Sequence, residues 1–504
     1  MFYAERTAIM MDEQFEKLKK AAPGYDIVPV VKEIFSDVRT PIAVMRALKQ
    51  VSSCCFLLES AEQGENWGRY SFLGFDPTGA LSCKDHLMTI NDGGSCRRFH
   101  TDHPASEIRR ILARNRSPRI EGLPYFTGGL VGYFAYEYAK YNEPRLDFRD
   151  CQESVFQDVD LMIFDKIIAF DHLRQKMILI VNIRTDHLEE NYKQALEDLR
   201  GLARLAACGE ECQIPGGELQ GPFISEFSKE EYEEAVRRTQ HYIHEGDIFQ
   251  AVPSNCRKAR FSGSLFNAYR VLRVTNPSPY MFYFSGRELE MTGASPETLV
   301  RLMAGRLETF PIAGTMSRGE TGEEDRHLEE MLLHDDKELA EHNMLVDLGR
   351  NDVGKISSFG SVAVKNFHKI KKFSHVMHIT SEVIGQIRPE YDAMDAVDAM
   401  LPAGTLSGAP KIRAMEILHE LEKSLRGAYG GAVGYLDFSG NMDVCIGIRM
   451  AAASGGHVYV RSGGGVVADS VPSHEYEETV HKAQSMTEAI IKAQEAEGYD
   501  FTDR

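Results

Sequence analysis

Apolar and polar positions recur along this chain with two periods, one near two residues and one near 3.6, and the changes between them outline its elements. Residues 12 to 22 carry the apolar stripe of an amphipathic helix, and Ile27-Val28-Pro29-Val30-Val31 reads as extended. Thr40-Pro41 opens a second helix, with a capping hydroxyl followed by proline in the first turn. Cys55-Phe56-Leu57-Leu58-Glu59-Ser60 is a strand run, and short strands punctuated by Gly, Asp and Asn continue to residue 100. Leu161 to Phe170 and Lys176 to Ile183 read as a hairpin, followed by a helix from Leu188 to Ala206.

Residues 207–227 lose all periodicity and contain Pro215-Gly216-Gly217 and Gly221-Pro222, the signature of a linker. The chain is therefore divided into an N-terminal region at 12–206, a linker at 207–227 and a C-terminal region at 228–495. Ser228-Lys229-Glu230-Glu231 is a capping box that starts a helix ending near Gly246. Beyond it strands and helices mix without a βαβ rhythm, and there is no Rossmann fingerprint, P-loop or nucleophile elbow. The expected class is α+β. Gly128-Gly129-Leu130-Val131-Gly132-Tyr133 is echoed by Gly430-Gly431-Ala432-Val433-Gly434-Tyr435, either two layers on a common plan or a coincidence between glycine-rich strands.

Composition narrows the classes of function. With 504 residues, 43% hydrophobic and 26% charged, the chain has ample core for a globular protein. A net charge of -18 argues against nucleic acid and anionic membranes as partners, so an anionic substrate needs a local site. No apolar run approaches the roughly 18 residues of a membrane span, and Met1-Phe2-Tyr3-Ala4-Glu5-Arg6 lacks a signal pattern, so a cytoplasmic location is expected. Nine cysteines without a C-x-x-C pair exclude a zinc site or disulfide framework from the expectations.

Two acidic stretches carry the first candidate chemistry. In Asp336-Lys337-Glu338-Leu339-Ala340-Glu341-His342 and in Glu475-Tyr476-Glu477-Glu478-Thr479-Val480-His481-Lys482, read as helices, glutamates three apart share a face, the first pair with His342 or Asn343 and the second with Lys482. Spacing alone leaves two readings, a hard-metal site or two solvated acidic faces. Leu401 to Lys411 is a Gly- and Pro-rich loop leading into a helix with Ile412, Met415, Ile417 and Leu418 on its apolar face; it is either a recognition loop or a turn. Arg461-Ser462-Gly463-Gly464-Gly465 is bare, as where backbone approaches a ligand or bends tightly, and Arg449 is a charge in an apolar strand that calls for a partner. His378 is a core histidine or a general base.

Five strings in order, Pro311-Ile312-Ala313-Gly314-Thr315, Leu345 to Asp352, Ser374-His375-Val376-Met377-His378, Gly404 to Lys411 and Tyr429 to Tyr435, resemble the chorismate-utilising enzymes, and within them the large-subunit branch of the anthranilate synthases. The resemblance spans residues 12 to 495 and implies two large packed antiparallel sheets flanked by helices, one of them built from both halves of the sequence. It further implies Mg2+ between the acidic helices, with Glu341 and Glu478 as direct ligands, Glu338 and Glu475 in support, and Gly463, Gly465 and Lys482 completing the site for the ring carboxylate of chorismate. Arg449 and Tyr429 would hold the enolpyruvyl carboxylate, a bidentate match for a guanidinium. Glu297 resembles the acid that protonates the departing ring hydroxyl, Thr405 the group that orients that hydroxyl, and His378 the residue that supports loss of pyruvate.

Two positions point to ammonia as nucleophile. Ala313 stands where a related branch carries a nucleophilic lysine, ahead of the substrate-binding Gly314 and Thr315, and Gln250 stands where water-adding relatives carry a lysine. Because no cysteine lies in a Gly-x-Cys-x-Gly context, a separate glutamine amidotransferase subunit is expected, and with it a hetero-oligomer. Glu59, Ser60, Asn276, Pro277, Ser278, Tyr280, Met281, Phe282, Gly293 and Cys445 match a tryptophan feedback pocket, although as bare sequence they read as core strand positions. Met316, Met450, Asn255, Cys256, Ser462 and Gly464 depart from the usual residues; alanines are common at the last two. The expected function is thus conversion of chorismate and ammonia to anthranilate and pyruvate, the first committed step toward tryptophan, inhibited by tryptophan. An enzyme that stops at 2-amino-2-deoxyisochorismate would have lost the tryptophan pocket, and a non-catalytic tryptophan-binding paralogue would have lost Glu297, His378 or the acidic pairs; none is lost.

Overall fold

The computed structural model describes residues 13–61, 68–148, 154–372 and 376–495. Met1 to Arg6, residue 12, Ser374 and His375 of the sequence reading lie outside them. Two antiparallel sheets, each of twelve strands, form the body of the molecule. One runs from Ile27–Phe35 inward to Cys55–Glu59, then continues through Tyr280–Ser285, Glu290–Ser295, Met450–Ser454 and His457–Gly463 to Ser254–Ser262. The other runs from Ile312–Ser317 and Val376–Gln386 through Thr298–Met303, Met442–Ile446 and Ala432–Asp437 into Gly129–Phe134, Val159–Phe164 and the hairpins at 79–100. Both sheets therefore join the two sequence halves, where the resemblance implied only one.

The glycine echo is the second of these joints. Gly129–Phe134 pairs antiparallel with Ala432–Asp437, and Gly132 lies directly opposite Gly434. A Cβ on Gly132 would come within 2.0 Å of the Asp160 carbonyl oxygen, and one on Gly434 within 2.2 Å of that of Asp443. Only glycine lets both outer strands pack this closely.

Period-two alternation sorts side chains into layers. In Cys55–Glu59, Phe56 enters the core between the sheets with Phe164, Ile180, Phe282, Tyr435 and Met450, while Cys55 and Leu57 face helices Pro41–Val51, Leu188–Cys208, Phe266–Thr275 and Pro472–Glu495. The second sheet is covered by Pro104–Ala113, Asp336–Ile356 and Ala393–Met400. Thr40 caps its helix by accepting from the Ala43 amide, and Ser228 and Glu231 form the capping box before Lys229–His244. Among the described residues no helix is long and apolar enough to cross a membrane.

Three local expectations change. Leu161 to Phe170 is not one strand: it breaks at Asp165, with Val159–Phe164 in the second sheet and Lys166–Asp171 in the first, where it does pair with Lys176–Arg184. The Asp165 carbonyl, buried at this crossing, accepts from the backbone N–H of Asn182 at 2.9 Å and from its Nδ2 at 3.1 Å. Arg449 is in no strand; it follows Met442–Ile446 in a left-handed conformation, φ 50°. Within 207–227, the two-residue strands Glu218–Leu219 and Ile224–Ser225 pair with Ser254–Ser262.

Candidate functional site

The chain passes between sheets twice in the same place. Pro296-Glu297 connects Glu290–Ser295 to Thr298–Met303, and residues 447–449 connect Met442–Ile446 back to Met450–Ser454. The crossings are laced together: the Ile446 amide donates to the Glu297 carbonyl at 3.0 Å, Ser295 Oγ to the Ile446 carbonyl at 2.7 Å, and the Ala294 amide to the Arg449 carbonyl at 3.0 Å. Glu297 and Arg449 are thus delivered by neighbouring strand ends.

Burial pushes the Glu297 carboxyl up to about 8, although Thr405 Oγ1 donates to its Oε1 at 3.1 Å and Lys482 pulls the other way. At neutral pH Glu297 is a carboxylic acid, able to give a proton. Thr405 owes its place to two anchors. Buried Lys411 closes its loop onto helix Asp336–Ile356 through Asp352 at 2.7 Å, and Arg426 donates to the Leu406 carbonyl at 2.6 Å. Arg426 also holds Glu422 and the Val252 carbonyl, fixing the short strand pair Gln250–Ala251 and Gly408–Ala409 beside Tyr429. Asp352, Glu422 and Arg426 were not singled out from sequence, and Lys411 was seen only as the end of its loop.

The acidic helices face each other. Desolvation raises the Glu341 carboxyl, and the charges of Glu338 on its own helix and Glu478 on the other raise it further, with Lys482 opposing. Lys482 Nζ lies 2.5 Å from Glu478 Oε1 and donates to the Gly463 carbonyl at 3.2 Å. Glu475 is raised by desolvation; its Oε1 accepts from Ser470 Oγ at 2.8 Å, while its Oε2 is buried without a hydrogen-bond partner. The bare loop explains the close approach: a Cβ on Gly464 would lie 2.7 Å from that Oε2, one on Gly465 2.8 Å from Gln250 Nε2, and one on Gly463 3.0 Å from the Tyr429 hydroxyl. His342 turns inward instead, bonded to Ser381 Oγ at 2.7 Å and pushed down to about 4 by burial, and Asn343 pairs with His368.

Four carboxylates against two lysines, Lys337 and Lys482, with one carboxylate oxygen unpartnered and buried, suit a divalent cation. Among the described residues no three Asp, Glu, His or Cys side chains cage an ion unaided. Mg2+ needs no such cage, since it binds through one or two carboxylates and takes water and substrate oxygens for the rest.

On the far wall, strand Ile312–Ser317 bulges at Gly314, φ 73°, between Ala313 opposite Ile379 and Thr315 opposite His378. The bulge brings Gly314 to Glu338, whose Oε2 would lie 3.3 Å from a Cβ there. His378 Nδ1 is 3.0 Å from the Gly314 carbonyl and burial lowers its pKa, so the neutral ring donates from Nδ1 and keeps Nε2 basic. The Arg449 charge reaches His378, and the Glu478 charge reaches Arg449, with the Tyr429 phenol close by. Glu297, Thr405, His378, Arg449, Tyr429, Lys482 and the facing glutamates therefore share one region.

A cavity of about 610 Å3 lies across the sheet joint formed by Cys55–Glu59 and Tyr280–Ser285. Glu59, Ser60, Tyr280, Met281, Phe282 and Cys445 line it, together with Arg301 and Asp443, which sequence reading missed. Tyr280 Oη donates to Asp443 Oδ1 at 2.8 Å. Asn276, Pro277, Ser278 and Gly293 do not line it: the Ser278 carbonyl accepts from the Ala61 amide, and Gly293 sits under the Phe282 ring, 2.3 Å from where its Cβ would be.

The departures from the motifs scatter. Met316 packs with Leu332, Met377 and Ile379, Met450 lies between the sheets opposite Gly293, and Asn255 bonds the Phe227 backbone in both directions. Cys256 is buried beside Arg461. Ser462 Oγ donates to the Thr479 carbonyl, and Gly464 meets Glu475.

This geometry has known counterparts. Anthranilate synthase component 1 of Aquifex aeolicus (strain VF5) is 44% identical over 486 residues, covering 96% of this chain and 98% of that one. The crystal structure of anthranilate synthase component I from Streptococcus pneumoniae TIGR4 superposes with a TM-score of 0.71 at 35% identity, over 90% of this chain and 99% of that one. MenF, the menaquinone-specific isochorismate synthase from Escherichia coli, shares the fold, with a TM-score of 0.67 at 17% identity over 95% and 99% of the two chains. The family model described as chorismate binding enzyme matches residues 53–488, and the chain belongs to that family.

Proposed function

We propose that this chain is the synthase component of an anthranilate synthase, converting chorismate and ammonia to anthranilate, pyruvate and water. The observation that carries the reading is Glu297, protonated at neutral pH and held by Thr405 at the sheet crossing that also delivers Arg449. Relatives named anthranilate synthase component 1 support it.

The ammonia nitrogen forms a bond to ring carbon 2 while the hydroxyl on carbon 4 leaves with the Glu297 proton as water. Neutral His378 then supports removal of the carbon-2 proton as the enolpyruvyl ether leaves as pyruvate and the ring becomes aromatic. Arg449 and Tyr429 bind the enolpyruvyl carboxylate, and Lys482 with the Gly463 to Gly465 backbone the ring carboxylate. Mg2+, held by Glu341 and Glu478 with Glu338 and Glu475 in support, would neutralise and orient that ring carboxylate. The small Ala313 leaves carbon 2 open to ammonia, and Gln250 supplies no base to activate water.

Ammonia comes from glutamine through a separate amidotransferase subunit, so the working form is a cytoplasmic hetero-oligomer. Tryptophan, the end product of the pathway this reaction commits to, occupies the cavity between the sheets, where Arg301, Asp443 and Glu59 offer charges to a zwitterion.

The test is incubation of the purified chain with chorismate, Mg2+ and an ammonium salt. Fluorescent anthranilate with one pyruvate per turnover, abolished by EDTA, is expected. A non-aromatic amine that keeps its enolpyruvyl group would reassign the chain to an enzyme stopping at 2-amino-2-deoxyisochorismate, and no chorismate consumption even with an amidotransferase subunit added would sink both.

A further inference from the structure

Arg257 is a buried cation without an anion. It is 8% exposed, no carboxylate bonds it among the described residues, and its Nη2 has no partner. A guanidinium stripped of water and left without a counter-ion is costly, so its position asks for a reason. Its Nη1 donates to Ser462 Oγ at 3.1 Å and to the Thr479 carbonyl at 3.3 Å, and Ser462 Oγ donates to the same carbonyl at 2.7 Å. Arg257 and Ser462 sit on adjacent strands, Asn255 opposite Ser462 and Arg257 opposite Val460, so they are diagonal neighbours on one face of the sheet. That face receives helix Pro472–Glu495.

Thr479 is fully buried and its carbonyl lies inside the helix, where the backbone ladder already provides a donor. Two further donors are not required to satisfy it. They do fix where the helix lies. Thr479 follows Glu478 directly and precedes Lys482 by less than a turn, so the three positions lie within about 100° of one another around the helix, and Lys482 Nζ reaches the Gly463 carbonyl. Gly463 is the residue after Ser462 in strand His457–Gly463, so the end of one strand holds the helix at both points.

We infer that Ser462 and Arg257 form a clasp on the Thr479 carbonyl that sets the depth and rotation of helix Pro472–Glu495, and so position Glu478 and Lys482 for the ring carboxylate and its cation. Both are positioning residues, and their role rests on the proposed function in assigning Glu478 and Lys482 to that site.

The test uses the full chain with Ser462→Ala, Arg257→Gln and Arg257→Lys. Mg2+ binding is measured by isothermal titration calorimetry without substrate, and KM and kcat for chorismate with ammonium as nitrogen source. Ser462→Ala and Arg257→Gln are expected to weaken Mg2+ binding and raise KM by roughly tenfold, the scale of supporting-shell changes, while kcat stays within about twofold. Arg257→Lys is expected to recover most of the loss, since an ammonium still reaches one of the two acceptors. Unchanged KM and Mg2+ affinity with a fall in kcat or in thermal stability alone would overturn the clasp. Should Arg257→Gln fail to fold, the small Ser462→Ala change decides by the same readouts. A wild-type chain that binds Mg2+ yet leaves chorismate untouched would remove the proposed function while the Mg2+ titration still judged the clasp; one that did neither would overturn both.

Discussion

Two regions of this protein, the cavity between the sheets and the space between the acidic helices, treat charge differently. Around the cavity between the sheets, Glu59 pairs with Arg273 at 2.8 Å, and Asp443 accepts from the Tyr280 hydroxyl and lies near Arg301. In the region between the acidic helices Lys482 pairs with Glu478, and carboxylates outnumber the cations. Glu297 is held protonated by desolvation, Glu341 and Glu475 are raised, and one carboxylate oxygen of Glu475 lacks any partner. A balanced pocket is ready to bind and do nothing further. An unbalanced one holds free energy that a cation and an anionic substrate release on arrival.

They are nevertheless built from the same strands. Tyr280–Ser285 lines the first, and Glu290–Ser295, its neighbour, ends at Glu297; Cys445 lines the first, and the strand it belongs to leads to Arg449. The hydrogen bonds between Ser295, Ile446 and Glu297 join these strand ends. A ligand that shifts the joint between the sheets therefore has a short path to the acid.

The largest expected break in this contrast is Glu297→Gln. It removes the proton donor and leaves the cavity between the sheets untouched, so kcat should fall by roughly 10²- to 10⁴-fold while tryptophan binding, followed by calorimetry, keeps its affinity. A variant that lost both equally would mean the two regions cannot be separated. Next in size is Glu341→Gln, which takes one carboxylate from the unbalanced side. The Mg2+ concentration for half-maximal rate should rise by about tenfold or more, since even supporting residues at metal sites are worth that much. Ser60→Phe acts on the balanced side only: it fills the cavity, and half-inhibition by tryptophan should need roughly tenfold more ligand, about 1.4 kcal/mol, with the uninhibited rate within about twofold.

What sequence could read follows the same division. Local signals with a local cause came through: the capping box at Ser228, the Thr40-Pro41 start, the helical spacing of Glu338 and Glu341. The glycine echo was visible as two strands, but that Gly132 and Gly434 would lie opposite each other depends on a pairing across some 300 residues of chain. The break at Asp165 was marked only by the polar pair Asp165-Lys166 between two apolar runs, and nothing local says which sheet a strand joins. Among the candidate site residues, the resemblance pointed to Glu297, Thr405 and His378, and helical spacing to the acidic pairs. The groups that hold them, Asp352, Glu422, Arg426 and Arg257, act through partners distant in sequence, and a charged residue gives no sign in isolation of whether it will be buried.

The smallest effect is a matter of pH. Only protonated Glu297 can hand a proton to the leaving hydroxyl, and burial lifts its carboxyl to about 8, with Thr405 and Lys482 limiting the rise. The active form therefore persists through neutral pH and is lost as pH climbs past about 8, so kcat with saturating chorismate and ammonia should fall on the alkaline side by about half at pH 8 and tenfold per unit well beyond it. The lowered pKa of His378 keeps its ring neutral across the same range, so it adds no alkaline limb of its own. In Glu297→Gln the residual rate should lose this limb. Thr405→Val removes the hydrogen bond that favours the carboxylate, so its limb should move to higher pH; a shift to lower pH would mean that Thr405 stabilises the acid form instead, and that burial alone does not set the proton on Glu297.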